Sequence, residues 1–253
     1  MPRGLRRFYI EAEFPAEEAV IKLSSRETFH LHRVLRLEPG DPCQIFNPYG
    51  WGAEAQVEIF SEKEGARLKL KKIFPLNRPS LRLKVGQALP QRKKMDDLIM
   101  RAEELGVHEL WVLETDRTVV KMRGDGRERV RNRWERIVVE AAKQSGSPVL
   151  MRVEGPLPFK KILEEKVMIP EKAFIFHPDP EGLHFSEMIE GLREGKAPAE
   201  IFLFFGPEGG FTDEEVRLAE SRGVKKVFLG DSILRLETAF LGVISAIRLM
   251  IAP

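Results

Sequence analysis

With 253 residues, 43% hydrophobic and 32% charged, the chain is long enough for one large domain or two modest ones, and too rich in core-forming residues to be disordered. Its single cysteine, Cys43, excludes a disulfide framework within the chain and favours a reducing cytoplasm, with the thiol read as a small, partly buried hydrophobe. Formal net charge is only +2, but residues 76–160 carry 18 basic against 12 acidic side chains, while residues 161–253 carry 11 against 16.

The opening residues Met1 to Tyr9 run directly into acidic ones, so no secretory stretch is expected. Ser25 is placed to cap a helix bearing Phe29, Val34, Leu35 and Leu37, ending before Pro39-Gly40-Asp41. Val57, Ile59 and Phe60, then Leu68, Leu70 and Ile73, show partial alternation on either side of Glu62 to Gly65, which predicts a β-hairpin. Pro75 to Ser80 holds two prolines among polar residues and is the expected linker. The boundary is therefore set between a small β-rich domain, 1–74, and a larger one, 75–253.

Beyond the linker, apolar runs alternate with amphipathic stretches. Strands are expected at Leu81 to Leu89, Leu110 to Leu113, Ala173 to Phe176, Ile201 to Phe205 and Val227 to Leu229. Helices are expected from about Arg92 to Leu105, Glu128 to Ser145, Phe185 to Leu192, from Thr212, and at the carboxyl end. Near-continuous apolar strands separated by helices predict an α/β domain with a buried parallel sheet. The last apolar tract, Thr238 to Pro253, is interrupted by Arg248 and is too short for a membrane span.

Two strand-to-helix connections carry the chemical interest. Ile201 to Phe205 runs into Gly206-Pro207-Glu208-Gly209-Gly210-Phe211, after which Thr212 and Glu215 have capping-box spacing. Glycines at a strand's carboxyl end let backbone amides approach a ligand, although a loop that merely turns has the same composition. Neither the Walker nor the Gly-x-Gly-x-x-Gly phosphate fingerprint matches. The second connection, Leu229-Gly230-Asp231-Ser232-Ile233-Leu234-Arg235-Leu236-Glu237-Thr238-Ala239, sets Arg235 and Glu237 two positions apart, sharing a face only in extended or turn backbone. The five histidines and Cys43 lack metal-ligand spacing, so no metal is expected. Arg117 to Arg136 holds eight basic against three acidic side chains, a density that suits phosphates and equally a solvated helix face.

Together the two connections resemble the cofactor motifs of the bacterial small-subunit (16S) ribosomal RNA uridine-N3 methyltransferases, within the SPOUT superfamily. Further similarity lies in Arg7-Phe8-Tyr9, Lys94-Met95-Asp96, Glu104 to Val107, Arg117 to Lys121 and Glu140 to Gly146, so it spans nearly the whole chain. The resemblance implies a PUA-like β-barrel for RNA, then a SPOUT α/β domain whose chain forms a trefoil knot, acting as a homodimer on small-subunit ribosomal RNA in the cytoplasm. It implies S-adenosyl-L-methionine as cofactor, seated by His177, Phe205, Gly206, Pro207, Glu208, Gly209, Leu229, Gly230, Ser232, Leu234 and Leu236. Where family members commonly continue Gln-Ser-Gly with arginine, this chain has Ser147, with Arg152 the nearest basic residue downstream.

Methylation at uridine N3 requires loss of a proton, so an acceptor and an anion stabiliser are needed. Arg235, whose guanidinium suits anionic uracil oxygens, and Glu237 as acceptor are the catalytic expectation, with Glu208 the competing carboxylate. N3 lies on the Watson-Crick edge, so the target must be unpaired or turned out. RNA phosphates are assigned to Arg7, His30, Arg33, Arg117, Lys121, Arg123, Arg127 and Arg131. The rival readings are a different nucleotide-binding enzyme, a SPOUT methyltransferase acting elsewhere on RNA, and a noncatalytic RNA-binding assembly factor.

Overall fold

The computed structural model describes residues 6–61, 65–77, 79–91, 94–119, 125–148, 150–167, 172–194 and 199–251. The chain divides into two compact units, Met1–Arg78 with Val139–Leu150, and Pro79–Val138 with Met151–Pro253. The break at Arg78 falls inside the expected linker, and the first unit also takes in a later stretch of chain.

The first unit holds β1 (Arg7–Tyr9), β2 (Val20–Lys22), β3 (Pro42–Phe46), β4 (Trp51–Ser61) and β5 (Gly65–Pro75), in sheet order β1-β3-β4-β5-β2. The expected hairpin is the β4–β5 pair, antiparallel with Val57 opposite Leu68 and Ala55 opposite Leu70. Its alternating inward residues join Phe8, Leu23, Leu31 and Ile45 in one core. The expected helix is shorter and starts one residue earlier. Ser24, not Ser25, is the cap, its hydroxyl accepting from the Glu27 amide, and α1 (Ser25–Phe29) passes into a π-helical turn, His30–Val34. Cys43 is buried and free.

Arg7 corrects the phosphate assignment. It is only 4% exposed. Its guanidinium donates to the carbonyls of Ala142 at 3.0 Å and Ser147 at 2.7 Å and lies 4.0 Å over the Phe46 ring. A charge so enclosed binds the chain's own carbonyls and is closed to RNA. Beside it Lys143 reaches Glu27 at 2.9 Å, both nearly fully buried. Both partners of the 139–150 stretch therefore belong to the amino-terminal sheet's surroundings.

The second unit is built on seven strands in order β10-β12-β9-β11-β6-β7-β8: β6 (Arg82–Ala88), β7 (Glu109–Glu114), β8 (Arg152–Pro158), β9 (Ala173–Phe176), β10 (Leu183–His184), β11 (Glu200–Phe205) and β12 (Lys225–Phe228). Every pairing is parallel. Helices α2 (Lys94–Glu104), α3 (Asp125–Ser145), α4 (Phe159–Glu165), α5 (Phe185–Arg193), α6 (Asp213–Ser221) and α7 (Leu236–Met250) connect or follow them. β9 and β11 are buried at every position, as strands covered on both faces must be.

The strand β8 and helix α4 have no counterpart in the sequence expectation. Gly155-Pro156 lies within the strand where its register with β7 shifts, and at Gly155 φ is +124° and a Cβ would sit 2.5 Å from the Val112 carbonyl, so only glycine fits. The apolar stripe of α7 is buried within the unit, through Phe240, Val243, Ile244 and Ile247, leaving Leu249 and Met250 exposed. Among the described residues no helix is long and apolar enough to cross a membrane.

Candidate active site

Parallel strands all present their carboxyl ends to the same edge of the sheet, so loops leaving adjacent strands converge there. Four adjacent strands, β12, β9, β11 and β6, do so here. β9 delivers His177, β11 the 206–211 loop and β12 the 229–235 loop, while β6 leads to Lys94 at the start of α2. These segments line a cleft of about 620 Å³. All the residues expected to seat a cofactor border it: His177, Phe205, Gly206, Pro207, Glu208, Gly209, Leu229, Gly230, Ser232, Leu234 and Leu236. Arg235 and Glu237 do as well.

The 206–211 loop is held rigidly from outside the cleft. A Cβ on Gly206 would sit 2.9 Å from backbone atoms of Gly210 and Phe211. The Gly210 amide closes a turn onto the Pro207 carbonyl at 2.8 Å. Buried Gln87 donates to the Gly206 carbonyl at 3.1 Å. Arg117 donates to the carbonyls of Gly209 at 2.6 Å and Phe211 at 3.3 Å. The capping box at Thr212 forms as its spacing predicts, and Glu215 further accepts from the Asp116 amide at 2.9 Å. By contrast, a Cβ at Gly210 (φ +72°) or Gly230 (φ +118°) would meet nothing within 4 Å. The 206–211 loop is thus tied from behind, and Gly210 and Gly230 leave open space at both loops.

Glu208 and Glu237 meet at a cation that sequence reasoning assigned no role. Lys94 Nζ lies 2.8 Å from Glu237 Oε1 and 3.3 Å from Glu208 Oε1. Glu208 is further occupied by the Gln91 amide, which donates to both its oxygens at 3.2 and 3.1 Å. Glu237 Oε2 is buried and has no hydrogen-bond partner. The Lys94 ammonium is the main reason the Glu237 carboxyl sits below the usual carboxylate range, aided by its own backbone amide in the first turn of α7. The same contact raises Lys94.

Arg235 caps α7 in extended backbone (φ −64°, ψ 151°). Its side chain is exposed and has no carboxylate within 4 Å among the described residues. His177 is pushed below its ordinary pKa chiefly by burial, and its Nδ1 accepts from the Asp179 amide at 3.3 Å. The neutral ring therefore carries its proton on Nε2.

Of the expected phosphate ligands, Arg117 is engaged in the loop clamp described above. Arg127 and Arg131 are exposed on α3, paired to Glu114 at 3.0 Å and Glu135 at 3.0 Å. Arg129, Arg133 and Arg136 are exposed on the same helix. His30 is half-buried against Phe8 and held below its ordinary pKa by burial, whereas Arg33 is exposed. Lys121 and Arg123 lie outside the described residues. Arg152, exposed on β8, lies 3.8 Å from Glu109.

Known proteins give the cleft its family. An RNA methyltransferase domain matches residues 77–248. The ribosomal RNA small subunit methyltransferase E of Synechocystis is 34% identical over 222 residues, 88% of this chain and 70% of that protein. The protein of the same name from Bacillus subtilis is 29% identical, covering 96% of each chain. Among solved structures, one such methyltransferase from Neisseria gonorrhoeae, bound to S-adenosyl methionine, superposes with a TM-score of 0.84 at 26% identity over 97% of each chain. A methyltransferase from Legionella pneumophila, also holding S-adenosyl methionine, gives 0.86 at 25% identity over 97% of each chain. The second unit is accordingly a SPOUT-type α/β domain preceded by a small β-rich domain. The chain belongs to the RNA methyltransferase family whose curated members carry the name ribosomal RNA small subunit methyltransferase E.

Proposed function

We propose that this protein is a cytoplasmic enzyme that methylates N3 of one uridine in small-subunit ribosomal RNA with S-adenosyl-L-methionine. The observation that carries the reading is a single cleft bordered by the open glycine cradle, the Glu237 carboxylate and the exposed Arg235, which has no carboxylate within 4 Å among the described residues. The 206–211 and 229–235 loops and His177 hold the cofactor, whose sulfonium supplies an already activated methyl group.

The chain's remaining task is to align an acceptor nitrogen and manage its proton. Uracil N3 carries that proton at neutral pH, and a carboxylate is a far weaker base than the uracil anion. Proton loss must therefore be assisted by a cation on the uracil oxygens, or must accompany bond formation at N3, which acidifies the N–H. We assign the first task to Arg235, because a planar guanidinium with no carboxylate partner among the described residues can give two parallel N–H donors to a flat oxyanion. Glu237 takes the proton. Glu208 is the weaker choice, since Lys94 and the Gln91 amide already occupy its oxygens.

Arg235→Ala is expected to lose turnover and keep cofactor affinity; single-turnover methylation at the wild-type rate would remove Arg235 from the mechanism. Phosphates of the RNA are assigned to Arg33 and to Arg127 and Arg131 on α3, with the small β-rich domain, 1–74 by the sequence boundary, as an RNA-binding partner of the catalytic one. The enzyme works as a homodimer, to which exposed Leu249 and Met250 contribute, and sedimentation checks this.

The deciding experiment is incubation with labelled cofactor and small subunits lacking the modification, followed by mapping of the labelled nucleotide. Label on uridine N3 is the expected result. Label on another atom overturns the position, and no label on RNA with cofactor binding intact favours a noncatalytic assembly factor.

A further inference from the structure

Lys94 opens α2, where the helix dipole makes a cation unwelcome. A residue that breaks a local preference without packing gain calls for a compensating role. Its ammonium bridges two carboxylates that arrive on different loops, Glu237 at 2.8 Å and Glu208 at 3.3 Å. The three side chains line one cleft. Of the four carboxylate oxygens gathered there, Glu208 Oε1 and Oε2 and Glu237 Oε1 have donors, and Glu237 Oε2 alone is buried without one. The Glu237 side chain as a whole is 31% exposed and borders the cleft, although Oε2 itself is shielded, so the carboxylate lies within reach of a ligand seated there.

We infer that Lys94 is a positioning residue of the methyl-transfer site: by pairing with Glu237 and Glu208 at once it fixes the Glu237 carboxylate at the edge of the cleft where the acceptor base binds. This rests on the reading of Glu237 as proton acceptor given above. A lone carboxylate in the first turn of a helix has several rotamers, and a two-point tether selects one. The tether also keeps the carboxylate ionised and therefore able to accept, while Glu208 couples the same lysine to the loop that seats the cofactor.

The test compares wild type with Lys94→Met, Lys94→Arg and Glu208→Gln. Three quantities are read: the Glu237 carboxyl titration by carbon NMR on the protein alone, cofactor affinity by calorimetry, and single-turnover methylation against pH. In wild type, Glu237 is expected to titrate below the usual carboxylate range. Lys94→Met should return it toward that range, move the acid limb of the rate profile to higher pH, and slow methylation by about 100-fold with cofactor affinity nearly unchanged. Lys94→Arg, which keeps the cation, should restore the position of the limb. Glu208→Gln should instead weaken cofactor binding and leave the limb in place.

An ordinary Glu237 titration in wild type overturns the inference, and needs no variant that folds. A Lys94→Met variant that loses only cofactor affinity, with the acid limb unmoved, overturns it too, because Lys94 would then serve the loop alone. A wild-type protein that neither binds cofactor nor methylates RNA would sink the proposed function, while the titration would still report whether Lys94 governs Glu237.

Discussion

Arg7 carries its charge into the interior of the first unit, where the carbonyls of Ala142 and Ser147 and the face of Phe46 replace water. Removing it would take one donor from each carbonyl and empty the space over the Phe46 ring. Arg7→Ala is expected to cost about 3 kcal/mol of unfolding free energy, read as a lower urea midpoint. A variant as stable as wild type would show the guanidinium to be dispensable. Glu237 poses the opposite question. Its folded pKa lies below the ordinary value, so its ion pair contributes stability above the usual carboxylate range and loses it as pH falls through the depressed folded value. The stability difference between wild type and Glu237→Gln should therefore shrink on acidification through that window; a difference independent of pH would refute the assignment. Sequence could name Glu237 and Arg235 because each sits in a motif. It could not reveal Lys94, since a lysine heading a helix reads as a surface charge until the fold brings two distant glutamates to it. It also misread Arg7, because burial is a property of the packed core and invisible in a basic amino-terminal run.

The strands that deliver the site were legible as elements because buried parallel strands are almost wholly apolar, as in Phe202, Leu203 and Phe204 of β11. Which strands neighbour one another was not, since the adjacency of β12, β9, β11 and β6 depends on crossovers that local periodicity does not encode. β8 escaped notice because glycine and two prolines break its pattern, and its register with β7 shifts between Trp111 and Leu113. Within the cofactor-side loop, Gly206 is the position with least tolerance. Its Cβ would sit 2.9 Å from backbone atoms of Gly210 and Phe211, so the turn itself must move. Gly206→Ala is expected to lower cofactor affinity by at least about 10-fold while costing only about 1–3 kcal/mol in stability, as calorimetry and thermal unfolding would report. An alanine variant with wild-type affinity would show the loop to be softer than its hydrogen bonds suggest.

Across the whole molecule, a net charge of +2 conceals five exposed arginines on α3, with 127 and 131 on one side and 129, 133 and 136 on the other. If these meet RNA, binding to small-subunit RNA should weaken steeply with salt, and Arg131→Ala should reduce the slope of log K against log salt by about 1. An unchanged slope would remove Arg131 from the footprint. The division into a β-rich unit and an α/β unit was readable from the change in periodicity near Pro75. The return of residues Val139–Leu150 to the first unit was not, because it is made by two buried cations, Arg7 and Lys143, whose partners lie far off in sequence. That return bears on inheritance as well as folding. A recombination event that exchanged the amino-terminal module at the linker would carry away Arg7 and Glu27 and leave their partners behind, so the two segments must be transmitted, or grafted by an engineer, as a matched pair.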